Sequence, residues 1–224
     1  AKPLLISSTL TQATIYVLRP MITYRALELD ANAAQIGLIA SVYALFPVLL
    51  ALQFGKWVGR MGEAKFIIYG TLAMLVTSAG LMVAHSILWL SIAAACAGTA
   101  HLACMVGGQS MVALRAPRES YDRYFGFYTF SASVGHMLGP IVAAVVAGSN
   151  GNLPKSTSNA FLLGVVLTIL ALFPVIRWRN ERPTVFAQQN SEGTYKTALN
   201  LVKRPGILAA IYISLAISSA ADVL

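Results

Sequence analysis

Residues 124–146 read YFGFYTFSASVGHMLGPIVAAVV, an apolar run long enough to cross a bilayer as one helix. Its centre carries features that lipid does not favour. Gly135 and Gly139 lie one turn apart and thin one face of the helix, which favours close packing against another helix. Pro140 cannot donate a backbone hydrogen bond, so the carbonyl of His136 loses its helical partner. A weakened helix with a proton-binding side chain near mid-membrane indicates a protein that moves something across the membrane.

The composition of the chain places it in a membrane. Of its 224 residues, 57% are hydrophobic and 11% are charged, and the mean hydropathy is +0.70. Soluble domains carry about a quarter charged residues, so we predict an integral membrane protein. The net charge of +8 does not indicate a nucleic-acid partner, because the basic residues lie in short gaps between apolar runs. Cys96 and Cys104 lie about 12 Å apart along one predicted helix, and we interpret them as packing residues rather than a disulfide.

Seven apolar runs are predicted to span the membrane, each near the required length of about 20 residues. They cover residues 4–26, 33–57, 66–84, 87–113, 124–146, 160–176 and 206–224. The longest gap between them is polar and basic. We therefore predict a six-helix bundle over residues 1–178, a cytoplasmic linker over 179–204, and the first helix of a second bundle over 205–224. We expect further helices to follow.

The charges in the gaps predict the orientation of the chain. With the N-terminus inside, 13 of the 16 lysines and arginines fall on the cytoplasmic side, and such a bias orients a membrane protein. One inner loop carries Arg115, Arg118 and Arg123 with Glu119 and Asp122, which we interpret as orientation signals and surface ion pairs. We predict a multi-pass protein of the plasma membrane, the inner membrane in a bacterium, with a cytoplasmic N-terminus.

The first predicted helix has a polar face. Ser8, Gln12, Tyr16, Arg19 and Thr23 follow one another at steps of three or four residues, which places them on the same side of a helix. This side of the helix is predicted to line a cavity rather than to face lipid.

Two prolines extend the predicted cavity. Pro20 frees the carbonyl of Tyr16, and Pro47 frees that of Tyr43. Freed carbonyls in a membrane need water, side chains or a ligand. Gln12, Tyr16, Arg19, Tyr43 and His101 are therefore our candidate cavity residues. The alternative is a harmless kink whose carbonyl is satisfied by a neighbouring helix.

The loop after the second run resembles a signature of the major facilitator superfamily. Residues 55–65 read GKWVGRMGEAK, and the family pattern is G-x-x-x-D-R-x-G-x-(R/K)-(R/K). Gly55, Arg60, Gly62 and Lys65 match the pattern. Gly59 stands at the acidic position, and alanine replaces one of the two basic residues.

The fifth helix resembles the signature of the antiporters of this family, G-x-x-x-G-P-x-x-G-G. Residues 135–144 read GHMLGPIVAA, with two alanines in place of the last two glycines. In the fourth helix Gly98 falls where a signature glycine is expected, whereas the arginine usual one turn earlier is absent.

The resemblance implies an all-α integral membrane protein. Its six helices would form a major-facilitator-type bundle with a 3+3 repeat, followed by a seventh transmembrane helix. It further implies a two-bundle transporter that works by alternating access, with its substrate cavity between the bundles. The antiporter-like fifth helix favours export, and its glycine face is expected near the interface between bundles. The implied partners are a small-molecule substrate, protons, the bilayer and the remaining C-terminal half.

Arg19 and Asp222 form our first candidate pair for gating. They lie 16 residues after Pro3 and 17 after Pro205, so they are at nearly equal depth in helices that the resemblance makes equivalent. We expect them to meet on the outer side and to help close an outer gate. The alternative is that Arg19 snorkels to the headgroups.

Three other residues are candidates for proton coupling or gating. His101 and His136 fall at similar depth on consecutive helices, and histidine titrates near neutral pH. The alternative for each is a packed histidine hydrogen-bonded to a neighbour. Arg60 is interpreted as a cytoplasmic gate and orientation charge.

The sequence therefore predicts a secondary transporter that exports a small amphipathic molecule, drug or metabolite in exchange for protons. A proton-coupled importer or a facilitator is the alternative, and a non-transporting scaffold is a further one. The sequence contains no metal-binding cluster, no Ser/His/acid set at one depth and no phosphate-binding loop. We therefore expect no metal, no cofactor, no nucleic-acid partner and no enzymatic activity.

Overall fold

The computed structural model describes residues 2–150, 153–154 and 156–178. This part of the chain forms six long helices: α1 (Lys2–Glu28), α2 (Ala33–Met61), α3 (Glu63–Met82), α4 (Ile87–Arg115), α5 (Tyr121–Ala147) and α6 (Thr157–Ile176). A short 3-10 helix, Arg118–Ser120, precedes α5. A two-stranded antiparallel hairpin, β1 (Ser149–Asn150) with β2 (Leu153–Pro154), connects α5 to α6.

The first six predicted runs correspond to these six helices, with ends that differ by a few residues. The predicted linker, the seventh helix and Asp222 lie outside the described residues. The division of the chain at residues 178 and 204 therefore stays a prediction. An all-α membrane protein is confirmed, because five of the six helices, α2 to α6, are apolar and long enough to span a bilayer.

Helix α1 carries a group of polar side chains that lie inside the bundle. Ser7, Thr11, Gln12 and Thr14 are buried, as are the apolar residues beside them. A helix surrounded by protein can carry polar groups that lipid would reject, since neighbouring helices satisfy their hydrogen bonds. Helix α1 contacts α5 along one side and α6 along another.

Helix α4 is the other helix on which several neighbours pack. It packs on α2 and α3, and α3 in turn packs on α6. A core of fully buried side chains, including Leu18, Met74, Leu90 and Phe161, fills the space between these helices. The glycine- and alanine-rich surface of α4 permits the close approach of its neighbours.

The helix ends follow from local sequence. Asn32 and Gln35 form a reciprocal capping box at the start of α2, with both hydrogen bonds at 2.9 Å. Gly62 separates α2 from α3 and has a φ of 87°. This φ is strained for any residue with a side chain, which accounts for one of the loop-signature glycines.

Candidate functional site

A buried glutamine lies at the centre of the candidate site. Gln12 is 3% exposed, and its Oε1 atom lies 2.9 Å from His101 Nε2 and 3.1 Å from His136 Nε2. A carboxamide oxygen only accepts hydrogen bonds. Hydrogen bonding in this arrangement requires a hydrogen on Nε2 of each imidazole, and it joins α1, α4 and α5 through one oxygen atom.

Two aromatic residues extend the site on either side of the histidines. The Tyr43 hydroxyl lies 3.5 Å from His101 Nδ1, a long hydrogen bond that links α2 to α4. The Tyr16 ring stacks on the His136 ring with centroids 4.1 Å apart. The Arg19 guanidinium lies over the Tyr43 ring, 5.2 Å from its centroid. Tyr16, Arg19, Tyr43, His101 and His136 are all half-buried, so each keeps some accessible surface.

Glycines on α5 bring His136 to Gln12. A Cβ atom added at Gly135 would lie 2.8 Å from the Cβ of Gln12, and one at Gly139 would lie 2.8 Å from the Cβ of Tyr16. Real Cβ atoms do not approach this closely. The Thr9 hydroxyl adds a hydrogen bond of 2.9 Å to the carbonyl of Ser131. Among the described residues, the partner of the glycine face is therefore α1 of the same bundle. The expectation that this face lies near a second bundle stays a prediction, because that bundle lies outside the described residues.

A glycine on α4 likewise allows the backbone of α2 at Tyr43 to approach closely. A Cβ atom at Gly98 would collide with the carbonyl oxygen of Tyr43 and lie 3.1 Å from Pro47 Cγ. This carbonyl is the one that Pro47 leaves without its helical donor. The missing side chain at Gly98 thus lets the part of α2 around Pro47 lie directly on α4, close to His101.

The structure brings together six residues that the sequence singled out: Gln12, Tyr16, Arg19, Tyr43, His101 and His136. Asp222 lies outside the described residues, so its contact with Arg19 stays a prediction. Arg60 is exposed at the end of α2 and is not among the contacts of this cluster. The roles of these residues in substrate binding, proton coupling and gating also stay predictions.

The sequence interpretation missed an ion pair at the predicted cytoplasmic end. Glu63, at the start of α3, is 1% exposed and lies 2.9 Å from Arg115 Nη2, at the end of α4. Arg115 therefore lies at the surface, as we expected, but it pairs with a buried carboxylate on another helix. A signal was present, because Glu63 is the only acid between residues 31 and 118.

A second polar cluster joins α1 to α6 at the opposite end. Arg25 Nη1 lies 2.9 Å from Glu28 Oε2, and Arg25 Nη2 donates to Ser158 Oγ at 2.6 Å. The Thr157 hydroxyl donates to the same Glu28 oxygen at 2.8 Å. These contacts tie the helix ends together.

Among the described residues, the central cluster combines two imidazoles, two phenols, a guanidinium and an amide. Imidazole can gain or lose a proton. Because Nε2 of each ring faces the amide oxygen of Gln12, Nδ1 is the nitrogen that can accept a further proton. Within the described part of the chain, no group of three or more His, Cys, Asp or Glu side chains could hold a metal ion. The cluster thus offers proton binding and hydrogen bonding to a ligand.

These features define a class: an integral membrane protein whose helical bundle encloses a polar, titratable site. Residues 4–224 match the family model of the Major Facilitator Superfamily, and the chain belongs to this family. The superfamily consists of membrane transporters rather than enzymes.

The chain is similar to several bacterial multidrug resistance proteins. It is 24% identical over 146 residues to multidrug resistance protein 1 of Bacillus subtilis (strain 168), a match covering 65% of this chain and 38% of that protein. It is 26% identical over 156 residues to multidrug resistance protein MdtG of Citrobacter koseri, covering 66% and 37%. For MdtG of Escherichia coli (strain K12 / DH10B) the identity is 22% over 152 residues, with the same coverage. The match thus spans well under half the length of these relatives.

Proposed function

We propose that the full-length protein is a secondary transporter that exports a small amphipathic molecule in exchange for protons. The histidine pair bridged by Gln12 would bind the exchanged proton. The relatives named as multidrug resistance proteins support export of such molecules. The observation that carries the proton part is the position of one buried amide oxygen between His101 Nε2 and His136 Nε2.

The geometry supports a specific binding position for the exchanged proton. Each neutral imidazole directs its Nε2 hydrogen to Gln12, so a further proton must bind at Nδ1. At His101 this atom faces the Tyr43 hydroxyl. The hydroxyl can donate to a bare Nδ1, but it must turn its hydrogen away to accept from a protonated one. Protonation of His101 would therefore change the contact between α2 and α4.

His136 is arranged differently. Its ring lies on the face of Tyr16, and a cation on an aromatic face is attracted by the ring quadrupole. The stack would keep a protonated His136 on α1. Arg19 adds a permanent positive charge next to Tyr43. Two imidazolium ions beside this charge would repel each other, so we expect the pair to bind one proton at a time.

The same residues would contact the substrate. Tyr16 and Tyr43 offer aromatic surface, and the accessible parts of both histidines offer hydrogen bonds. A bound amphipathic molecule would compete with the proton for these contacts, which is the coupling that exchange requires. We further propose that Arg19 pairs with Asp222 in an outer gate, that Arg60 acts at the cytoplasmic end, and that the protein lies in the bacterial inner membrane with its N-terminus in the cytoplasm.

The test is flux of the cationic dye ethidium in proteoliposomes that contain the full-length protein. An imposed proton gradient should drive ethidium against its own gradient, in the direction opposite to the protons. Asparagine at both histidines, H101N/H136N, should abolish this uphill movement. Downhill movement of the dye should persist, because the scaffold remains.

The third histidine of the chain supplies a matched control. His85 is exposed in the connection between α3 and α4, and H85N should leave both kinds of flux unchanged. Uphill ethidium movement that survives in H101N/H136N would disprove the role of the pair. Movement of dye and protons in the same direction would show an importer, and indifference to the proton gradient would show a facilitator.

A further inference from the structure

A lateral groove lies between α2 and α3, apart from the histidine cluster. Its volume is about 870 Å³. Leu50, Phe54, Trp57 and Met61 on α2 line one wall, at helical steps of four, three and four residues. This wall opens towards the surface, since Trp57 is 43% exposed.

The other sides of the groove are also apolar. Tyr69 and Val76 on α3 form the opposite wall and are exposed within the groove. Cys96, Thr99 and Ala103 on α4 form the floor. Cys96 is exposed here, which corrects its interpretation as a packing residue. The floor is made of small side chains and leaves room for an elongated apolar group.

The length of the groove fits one leaflet of a bilayer. The α2 wall runs from Phe46 to Met61, a distance of about 22 Å at the helical rise per residue. One leaflet of the hydrocarbon core is about 15 Å thick. The groove is thus long enough to hold the whole acyl chain of a lipid from the leaflet on the side of the α2–α3 connection.

The end of the groove at this connection is basic. Arg60 precedes the lining residue Met61 and is exposed, and Lys65 precedes the lining residue Phe66. Lys56 lies beside Trp57 in the same segment. The one acid of the segment, Glu63, is buried against Arg115. A tryptophan beside basic residues is also the usual composition at the headgroup level of a membrane.

We propose that this groove is a binding site for an anionic phospholipid. Its acyl chain would lie between α2 and α3, and its headgroup would contact Arg60 and Lys65. A zwitterionic lipid fits the apolar walls equally well but gains less from the charges. Near a membrane surface each basic side chain contributes about fivefold to the attraction of an anion.

Trp57 allows a direct test in the full-length protein, because brominated acyl chains quench tryptophan fluorescence on contact. With Trp89 and Trp178 changed to phenylalanine, Trp57 is the only tryptophan among residues 1–224, and any others in the full-length protein are changed likewise. Vesicles of phosphatidylcholine would carry a small fraction of either brominated phosphatidylglycerol or brominated phosphatidylcholine. Trp57 should be quenched at least about fivefold more effectively by the anionic lipid. R60Q/K65Q should reduce this preference to near unity.

Two controls separate a specific site from general attraction. R118Q/R123Q removes one exposed charge from the α4–α5 connection and one from the first turn of α5, and it should leave the preference of Trp57 unchanged. A protein with Trp89 as its only tryptophan, exposed at the opposite end of α3 and α4, should show no preference. Equal quenching of Trp57 by both lipids, or a preference that survives R60Q/K65Q, would overturn the proposal. Absence of quenching by either lipid would overturn it too, since another part of the protein would then fill the groove.

Discussion

Oε1 of Glu63 accepts hydrogen bonds from both Nε and Nη2 of Arg115, each at 2.9 Å. The pair joins the start of α3 to the end of α4, and its two members differ in burial. The Glu63 side chain is 1% exposed, whereas that of Arg115 is 36% exposed. Loss of Arg115 should therefore have a different effect on stability from loss of the Glu63 charge.

Arg115→Gln should destabilise the bundle more than Glu63→Gln. Without the guanidinium, a buried carboxylate loses two charge-assisted hydrogen bonds, and removal of one member of a buried ion pair costs about 3–5 kcal/mol. Without the carboxylate charge, Arg115 can still reach water, so we expect a loss of about 1 kcal/mol. The measurement is the free energy of unfolding in detergent micelles, obtained by denaturant titration.

The double variant E63Q/R115Q tests whether the two effects share one interaction. Its destabilisation should be smaller than the sum of the single losses by about 1–3 kcal/mol, since the pair is removed only once. Strict additivity would show that the two side chains stabilise the protein independently. R118Q, which removes an exposed arginine nearby, serves as the matched control and should change the free energy of unfolding by less than about 0.5 kcal/mol.

Gly135→Ala should separate α5 from α1. The added methyl group would lie 2.8 Å from the Cβ of Gln12 and 2.9 Å from the backbone nitrogen of Ala13, so one helix must shift. Overpacking of this kind costs about 1–3 kcal/mol. Gly126→Ala is the control on the same helix, because nothing lies within 4 Å of its added Cβ.

The control should be neutral or stabilising by up to about 1 kcal/mol, since alanine is the better helix former. Thermal unfolding of both variants in micelles gives the comparison. If G135A were as stable as G126A, the close approach of α5 to α1 would not contribute to stability.

Gln12→Glu should raise the pH at which proton-driven transport is half-maximal. A carboxylate at this position would face two imidazoles that now share a neutral oxygen, and a negative charge stabilises the protonated ring. We expect an upward shift of about one pH unit or more. Gln12→Ala should instead weaken the response to the proton gradient, because neither imidazole keeps its acceptor.

Gln109→Glu provides the control for this change. Gln109 is exposed on α4, so the same substitution there adds charge without contact to the histidines. The readout is the initial rate of ethidium flux across a pH series at constant membrane potential. Equal pH profiles for Q12E and Q109E would contradict the proposed role of Gln12.

Most of the central site could be predicted from the sequence because helical spacing is regular. Gln12, Tyr16 and Arg19 fall on one face of any α-helix of near-ideal geometry. His101 and His136 stand out in the sequence because they are titratable groups in apolar runs. Which atoms meet could not be predicted. The bridge from Gln12 depends on the depth at which α5 lies on α1, and that depth is set by backbone contacts at Gly135 and Gly139.

The pair of Glu63 with Arg115 was missed for a different reason. Basic residues in short gaps have a general explanation in membrane orientation, which needs no specific partner. A single acidic residue among these basic residues, such as Glu63, has no such explanation. It is a sequence signal for a specific ion pair. The groove between α2 and α3 lay beyond prediction, because it arises where two helices that each pack on α4 leave a gap between them.

Arg19 and Asp222 provide the last test, which separates a gate from a snorkelling arginine. The Arg19 guanidinium lies over the ring of Tyr43. If Asp222 contacts it in the closed state, D222N and R19Q should each change the rate of ethidium flux about tenfold, a coupling typical of linked sites. The reversed pair R19D/D222R should recover much of the wild-type rate. A cross-link between R19C and D222C, in a background with serine at Cys96 and Cys104, should stop transport until it is reduced. If Arg19 only reaches the headgroups, D222N will be silent and the two cysteines will not cross-link.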